Sequence, residues 1–180
     1  PDERVEAVIP DGNGGWFIAG YFNWVGSQAR RGVARLNSDG SLHPFDAGAN
    51  GTVRTMALVG NTLYIGGNFT QVSGQARSLI AAVDATTGSL LAWDPNITGP
   101  FGTRTVRTIV HADGTIYVGG LIITVGGQTR TNIAAIDAAT GTPTAWAPEA
   151  NGQVITIAVN AGVVYAGGAF SQIGGQPRNR

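Results

Sequence analysis

Short apolar runs alternate with turn residues through the middle of the chain. Four runs of strand length occupy residues 53–58, 63–67, 79–83 and 90–93. The residues between them favour tight turns: Gly60-Asn61, Ser73-Gly74 and Asp84–Gly88. The pattern predicts four antiparallel strands, and it predicts that the second strand continues through Phe69 to Val72.

The same pattern occurs four times, and one arginine marks each copy. Arg30, Arg77, Arg130 and Arg178 are separated by steps of 47, 53 and 48 residues. A glycine column repeats those steps: Gly20, Gly67, Gly120 and Gly168. A fixed period of this length indicates stacked repeats. Four short strands per repeat are typical of a propeller blade.

We therefore predict an all-β fold, a β-propeller of four-stranded antiparallel blades. The chain is expected to be a single segment over residues 1–180, with blades at 1–50, 51–102 and 103–151 and a partial blade at 152–180. About three and a half blades are present, because the fourth copy contains only its first two strands. A solenoid or a sandwich is the alternative. A longer chain is favoured as the source of the remaining blades, and a second copy is the other possibility.

Glycines and aromatic residues at matching positions of the repeats predict how the strands pack. The paired glycines in the second strand indicate close approach of a neighbouring backbone or a bulge. Aromatic residues recur in the second and fourth strands, at Phe17, Tyr64, Tyr117 and Tyr165 and at Phe45, Trp93 and Trp146. A ring of aromatics could stack sugars, but packing between blades is the favoured interpretation, because buried aromatic area stabilises most.

Amino-acid composition and charge exclude several kinds of site and partner. The chain has 28 glycines, 12% charged residues, no cysteine and zero formal net charge at pH 7. Disulfides and thiolate metal sites are therefore impossible, and nothing in the charge favours nucleic acid as a partner. No apolar run is long enough to insert into a membrane. The chain begins at Pro1 without a signal-peptide pattern, so we expect a processed product or an excerpt.

The sequence of the second repeat resembles the repeats of a known family. It reads Leu63–Thr70, Gly74-Gln75-Ala76-Arg77, Ile80–Asp84, Thr87-Gly88 and Ala92–Pro95. These motifs resemble bacterial delta-sixty-type β-propeller repeats and are similar to the blades of fungal Rax2-like cortical markers. The resemblance implies a propeller inside a large secreted or surface-attached protein, without established enzymatic activity. The first copy departs at Asn37 and Phe45, and the third at Leu121–Ile123.

Residues that recur in the blades are interpreted as structural. A glutamine lies two residues before each arginine: Gln28, Gln75, Gln128 and Gln176. Guanidinium groups bind carboxylates, so the arginines could form an anion-binding site. A residue present in every repeat is more simply explained as part of the scaffold. We expect each arginine to pair with an aspartate or a turn carbonyl at a blade corner, with Asp84 and Asp137 as the first candidates.

Three residues stand apart from the repeats as possible contacts. Trp24 has no aromatic counterpart in the other copies. Asn96 and Phe101 lie in the inserted segment 96–104, and recognition is concentrated in such loops. Asn68-Phe69-Thr70 and Asn96-Ile97-Thr98 also match the N-glycosylation pattern.

No catalytic, metal-binding or cofactor-binding residue is predicted. Segment 11–15 resembles the start of a calcium loop but lacks the distal glutamate, so a turn is expected. The two histidines, His43 and His111, lie at different blade positions.

These observations predict a structural or interaction module of a secreted or cell-surface protein, and not an enzyme. Protein partners or a surface glycan are expected. One alternative is a carbohydrate-active hydrolase or lyase, which needs two carboxylates converging at the propeller mouth. The other is an assembly subunit whose open blade is completed by another chain.

Overall fold

The structure is a computed structural model that describes residues 1–178, and every regular element among them is a β-strand. The chain forms two compact units, Pro1–Ala92 and Trp93–Arg180. The predicted all-β fold is confirmed. Within the described residues, no helix is present that could cross a membrane.

The first unit contains ten strands: β1 (Arg4–Pro10), β2 (Trp16–Tyr21), β3 (Trp24–Val25), β4 (Gln28–Ala29), β5 (Val33–Leu36), β6 (Val53–Val59), β7 (Thr62–Gly67), β8 (Gln71–Val72), β9 (Gln75–Ala76) and β10 (Ile80–Asp84). They form two three-stranded antiparallel sheets, β1-β2-β5 and β6-β7-β10. The hairpins β3-β4 and β8-β9 are separate small sheets.

The described residues of the second unit contain nine strands: β11 (Thr105–Ala112), β12 (Thr115–Leu121), β13 (Thr124–Val125), β14 (Gln128–Thr129), β15 (Ile133–Asp137), β16 (Gln153–Asn160), β17 (Val163–Ala169), β18 (Gln172–Ile173) and β19 (Gln176–Pro177). The sheet β11-β12-β15 has three strands, and β16-β17 has two. All pairs are antiparallel, as the repeat pattern predicts.

The fourth strand of each complete blade is shorter than expected. It is present as a single bridge at the sheet edge, Leu36↔Leu42, Val83↔Leu90 and Ile136↔Pro143. A second backbone hydrogen bond extends each bridge, for example from Leu91 N to Ala82 O at 2.9 Å. Pro44, Pro95 and Pro143 lie in or near these segments, and proline cannot donate a ladder hydrogen bond.

The second strand does not continue to Val72, so that prediction was wrong. β7 ends at Gly67, and Val72 belongs to the separate hairpin β8-β9. The chain leaves the ladder because Asn50 Oδ1 accepts hydrogen bonds from the N–H groups of Thr70 and Gln71, both at 2.9 Å.

Each first strand contains a β-bulge opposite the glycine column. The register shifts at Glu6, Arg54, Arg107 and Ile155. A Cβ on the opposing glycine would overlap a carbonyl oxygen of the first strand, such as that of Thr105 against Gly120. The close approach and bulge predicted from the paired glycines are therefore confirmed.

The apolar core of the first unit lies between its two sheets. Phe17, Phe45, Leu63 and Ile65 are fully buried there. In the second unit, Ile133, Val154 and Ile157 form the corresponding cluster. Aromatic residues of the second and fourth strands meet edge to face, Phe17 with Phe45 at 5.3 Å and Tyr117 with Trp146 at 5.4 Å between ring centroids.

Candidate functional site

The repeated arginines clamp each small hairpin to the fourth segment of its own blade. Each Nη1 donates to the carbonyl of the preceding residue, at 2.8 Å for Arg30, 2.8 Å for Arg77 and 2.7 Å for Arg130. Each Nη2 donates to a carbonyl in the fourth segment, that of His43, Leu91 or Thr144, at 3.3, 3.1 and 2.6 Å. Arg178 Nη1 donates to Pro177 O at 2.9 Å.

The aspartates named as first partners of the arginines have another role. Asp84 Oδ1 accepts from the N–H groups of Thr86 and Thr87, at 3.0 and 2.8 Å. Asp137 Oδ1 does the same with Ala139 and Thr140. Hydrogen bonds from the threonine N–H and hydroxyl groups lower the pKa of each carboxyl below 3.8. These aspartates close their own turns, so both first candidates were wrong. The arginines donate instead to carbonyl groups, the other kind of partner expected for them.

The repeated glutamines lie in the second strands of the small hairpins, and all four are exposed. Gln128 Oε1 accepts a hydrogen bond from Arg130 Nη2 at 2.9 Å. In the first blade, the arginine clamp includes a carboxylate, because Arg30 Nη1 lies 3.9 Å from Asp46 Oδ2.

A second repeated contact was missed by the sequence reasoning. Asn50 Nδ2 donates to Thr70 Oγ1 at 2.9 Å, while its Oδ1 holds two N–H groups of the next hairpin. Asn151 makes the same set with Ser171 and Gln172. Asp2 Oδ1 accepts from the N–H groups of Asn23 and Trp24, both at 3.0 Å. The step of 48 residues from Asp2 to Asn50 was the available signal.

A buried ion pair lies inside the first unit. Arg35 Nε and Nη2 donate to Asp11 Oδ2 at 2.9 and 2.8 Å, with 11% and 3% of the two side chains exposed. Arg35 Nη1 donates to Ala85 O at 3.1 Å, and its guanidinium carbon lies 5.4 Å from the centre of the Phe17 ring. The pair therefore joins the β1–β2 loop to the turn after β10.

Neighbouring groups shift the pKa of Asp11 and of the nearby His43. Burial acts to raise the pKa of Asp11, but the Asn13 N–H, the Arg35 side chain and the Gly15 N–H hold it below 3.8. Burial, and then the charge of Arg35, lower the pKa of His43 below 6.5. The neutral ring fits its contact, because His43 Nδ1 accepts from the Phe45 N–H at 3.1 Å.

The calcium-like segment 11–15 is a turn, as expected. Asp11 N donates to Gly15 O at 3.0 Å, and Asp11 Oδ1 accepts from the N–H groups of Asn13 and Gly15, both at 2.8 Å. Over residues 1–178, no group of three or more histidine, aspartate or glutamate side chains is placed to hold a metal ion.

Of the three possible contact residues, one lies in the first unit and two in the second. Trp24 in β3 is 49% exposed. Asn96 is exposed and adopts a positive φ of 46°, with its N–H bonded to Asp94 Oδ1 at 3.0 Å. Phe101 is 96% exposed. The inserted segment is anchored beside it by the buried Ile97 and by hydrogen bonds between Thr98 and Thr124.

A small pocket opens where the first repeat of the first unit meets the second. It has a volume of about 110 Å³ and is lined by Tyr21, Phe22, Asn23, Arg31, Ala49, Asn50 and Gly51. Tyr21 is 49% exposed, and Arg31 is exposed.

Comparison with protein families gives two matches, and comparison with curated proteins gives none. A model described as a β-propeller domain of unknown function matches residues 12–44. The model described as outer membrane protein assembly factor BamB matches residues 32–172, which is most of the chain. The sheets described above are thus the blades of a partial β-propeller, and the chain belongs to the outer membrane protein assembly factor BamB family.

Proposed function

We propose that this propeller segment is a non-catalytic module of a secreted or cell-surface protein, and that it binds other proteins through loops carried by its blades. Rigid scaffolds with variable loops are a common arrangement for recognition. Blade sheets fixed by repeated clamps supply the scaffold, and departures from the repeat supply candidate contacts.

The exposure of Phe101 is the observation that carries this proposal. Its ring is 96% exposed, on an insertion that lengthens one repeat step to 53 residues. Ile97 is fully buried, and Thr98 Oγ1 lies 2.7 Å from Thr124 Oγ1, so the base of the insertion is held. A large aromatic side chain on an anchored loop is a typical anchor residue for a protein partner.

Two likenesses support the proposal. The matched family is described as an assembly factor for outer membrane proteins, and assembly is a protein-binding task. The resemblance of the repeats to delta-sixty-type propellers favours a location outside the cell or on its surface. We extend both properties to this chain as part of the proposal.

Site-specific crosslinking tests the proposed binding. A photoreactive phenylalanine analogue replaces Phe101, and a control variant carries it at Ser38, in another exposed turn. We expect one discrete protein adduct from position 101 in the source cells and none from position 38. Equal adducts at both positions, or none at either, would contradict the proposal.

Cell fractionation tests the location independently. An antibody against the chain should find it in the medium or in the surface fraction. Recovery only with cytosolic marker proteins would contradict the secreted or surface location and would leave the binding test unaffected.

A further inference from the structure

Residues of the first repeat in and beside the pocket between the first two repeats differ in chemistry from the residues at the matching positions of the second repeat. The first repeat carries Tyr21, Asn23, Trp24 and Arg31, where the second carries Asn68, Thr70, Gln71 and Ser78. The blade does not require the larger residues, since the second repeat forms the same sheet and hairpin without them. The fold therefore leaves these side chains unexplained.

The guanidinium of Arg31 is the one charged group that lines this pocket. Among residues 1–178, no hydrogen-bond or ion-pair partner is found for its side chain. Its neighbour Arg30 contrasts with it, since Arg30 donates to the carbonyls of Ala29 and His43. Arg31 thus keeps its donors available, and the group that they fit best is a carboxylate bound through two oxygens.

One exposed aromatic side chain lines the pocket with the free arginine, and a second is close in sequence. Tyr21 lines the pocket, and Trp24 follows the lining residue Asn23. Each is 49% exposed. Tryptophan, tyrosine and arginine are the residue types enriched at the energetic centres of protein interfaces.

The size of the pocket restricts its occupant. A volume of about 110 Å³ is below the roughly 300–1,000 Å³ of sites that enclose a whole small molecule. It suits one side chain of a larger partner. The Asp2 carboxylate approaches the lining segment, but its Oδ1 is held by the N–H groups of Asn23 and Trp24.

We propose that this pocket receives an aspartate or glutamate side chain of a protein partner, with its carboxylate on the Arg31 guanidinium and its backbone beside Tyr21 and Trp24. The inference rests on the proposed protein-binding function and names a second contact region with a defined chemistry. An acidic glycan would share the carboxylate, but the proposed protein-binding function favours a peptide, and the experiment compares the two.

Fluorescence anisotropy with labelled poly-L-glutamate tests this pocket. The variants Arg31→Ser, Tyr21→Asn and Trp24→Gln each introduce the residue that the second repeat carries, so the blade is expected to fold. Arg107→Ser is the matched control, because Arg107 is also an exposed arginine and the variant loses the same charge. We expect Arg31→Ser to weaken binding about tenfold, the aromatic variants to weaken it less, and the control to bind like the unaltered chain.

The other outcomes overturn the inference. They are absence of binding to poly-L-glutamate, an equal loss in Arg107→Ser, or binding of oligogalacturonate in place of the peptide. A crosslink at position 101 together with any of these would leave the proposed function standing. Thermal unfolding of each variant confirms that the loss of binding is not a loss of fold.

Discussion

Arg35 occupies a strand position at which the second and third repeats have alanine, Ala82 and Ala135. Its charge is neutralised by Asp11, and its third contact is the carbonyl of Ala85. Removing one member of a buried ion pair leaves the other charge without compensation. This pair should therefore matter more to stability than the exposed pairs of the chain.

Asp11→Asn tests that expectation. We expect the free energy of unfolding to fall by about 3 kcal/mol near neutral pH, measured by urea denaturation. The folded-state pKa of Asp11 is below 3.8, so its contribution is complete above that value and is lost as the pH falls through the folded pKa. The difference between the two proteins should therefore shrink in acid. A difference that stays constant down to the acid limit of folding would contradict this account.

The backbone conformation of Leu79 could not be predicted from its residue type. Its φ is +68°, and its side chain is fully buried. Gly32 and Asn132 occupy the matching positions with φ values of +73° and +64°. Glycine and asparagine indicate a left-handed residue, whereas leucine does not. Burial and the hydrogen bond from Leu79 N to Phe69 O at 3.1 Å hold this conformation, and both come from the tertiary structure.

At the scale of elements, the small hairpins are positioned by residues of the preceding linker. Asn50 and Asn151 each hold two N–H groups and one hydroxyl of the hairpin that follows. The strand positions β6, β7 and β10 could be read from apolar runs. The separate hairpin β8-β9 could not, because the residue that turns the chain lies about twenty positions earlier.

Two substitutions at Asn50 distinguish the contribution of its acceptor, Oδ1, from that of its donor, Nδ2. Asn50→Ala removes both and should lower the free energy of unfolding by about 1 kcal/mol, because the two exposed N–H groups exchange their protein acceptor for water. Asn50→Asp keeps the acceptor, as Asp2 does in the first repeat, and should cost less than half as much. Chemical denaturation of the two variants gives the comparison. Equal losses would show that the Asn50 Oδ1 contacts do not stabilise the hairpin.

At the scale of the whole molecule, the fourth repeat has apolar side chains that the described residues leave exposed. Tyr165 and Val163 in β17 are 57% and 51% exposed. At the position that matches Tyr165, Phe17 is buried against Phe45, and Tyr117 packs on Trp146. The sequence identified this aromatic column correctly.

Tyr165→Ser tests whether this face causes self-association. We expect the unaltered chain to associate as its concentration rises, because exposed aromatic area gains free energy when it is covered. The variant should remain monomeric to higher concentration in sedimentation velocity. Phe101→Ser is the control, since it removes an aromatic ring that is even more exposed on a loop. Association that depends on Phe101 and not on Tyr165 would contradict the prediction.

The bulge in each first strand has a consequence for how such blades diversify. Four unlike residues stand at this point, Glu6, Arg54, Arg107 and Ile155, while the residue across the ladder is always glycine. The backbone course is thus set by a partner that has no side chain, and residues of different chemistry fit at the bulge. The same sheet geometry thereby carries an acidic, a basic or an aliphatic side chain at this position, and in the first unit two of these side chains meet, Arg54 Nη1 lying 3.2 Å from Glu6 Oε1.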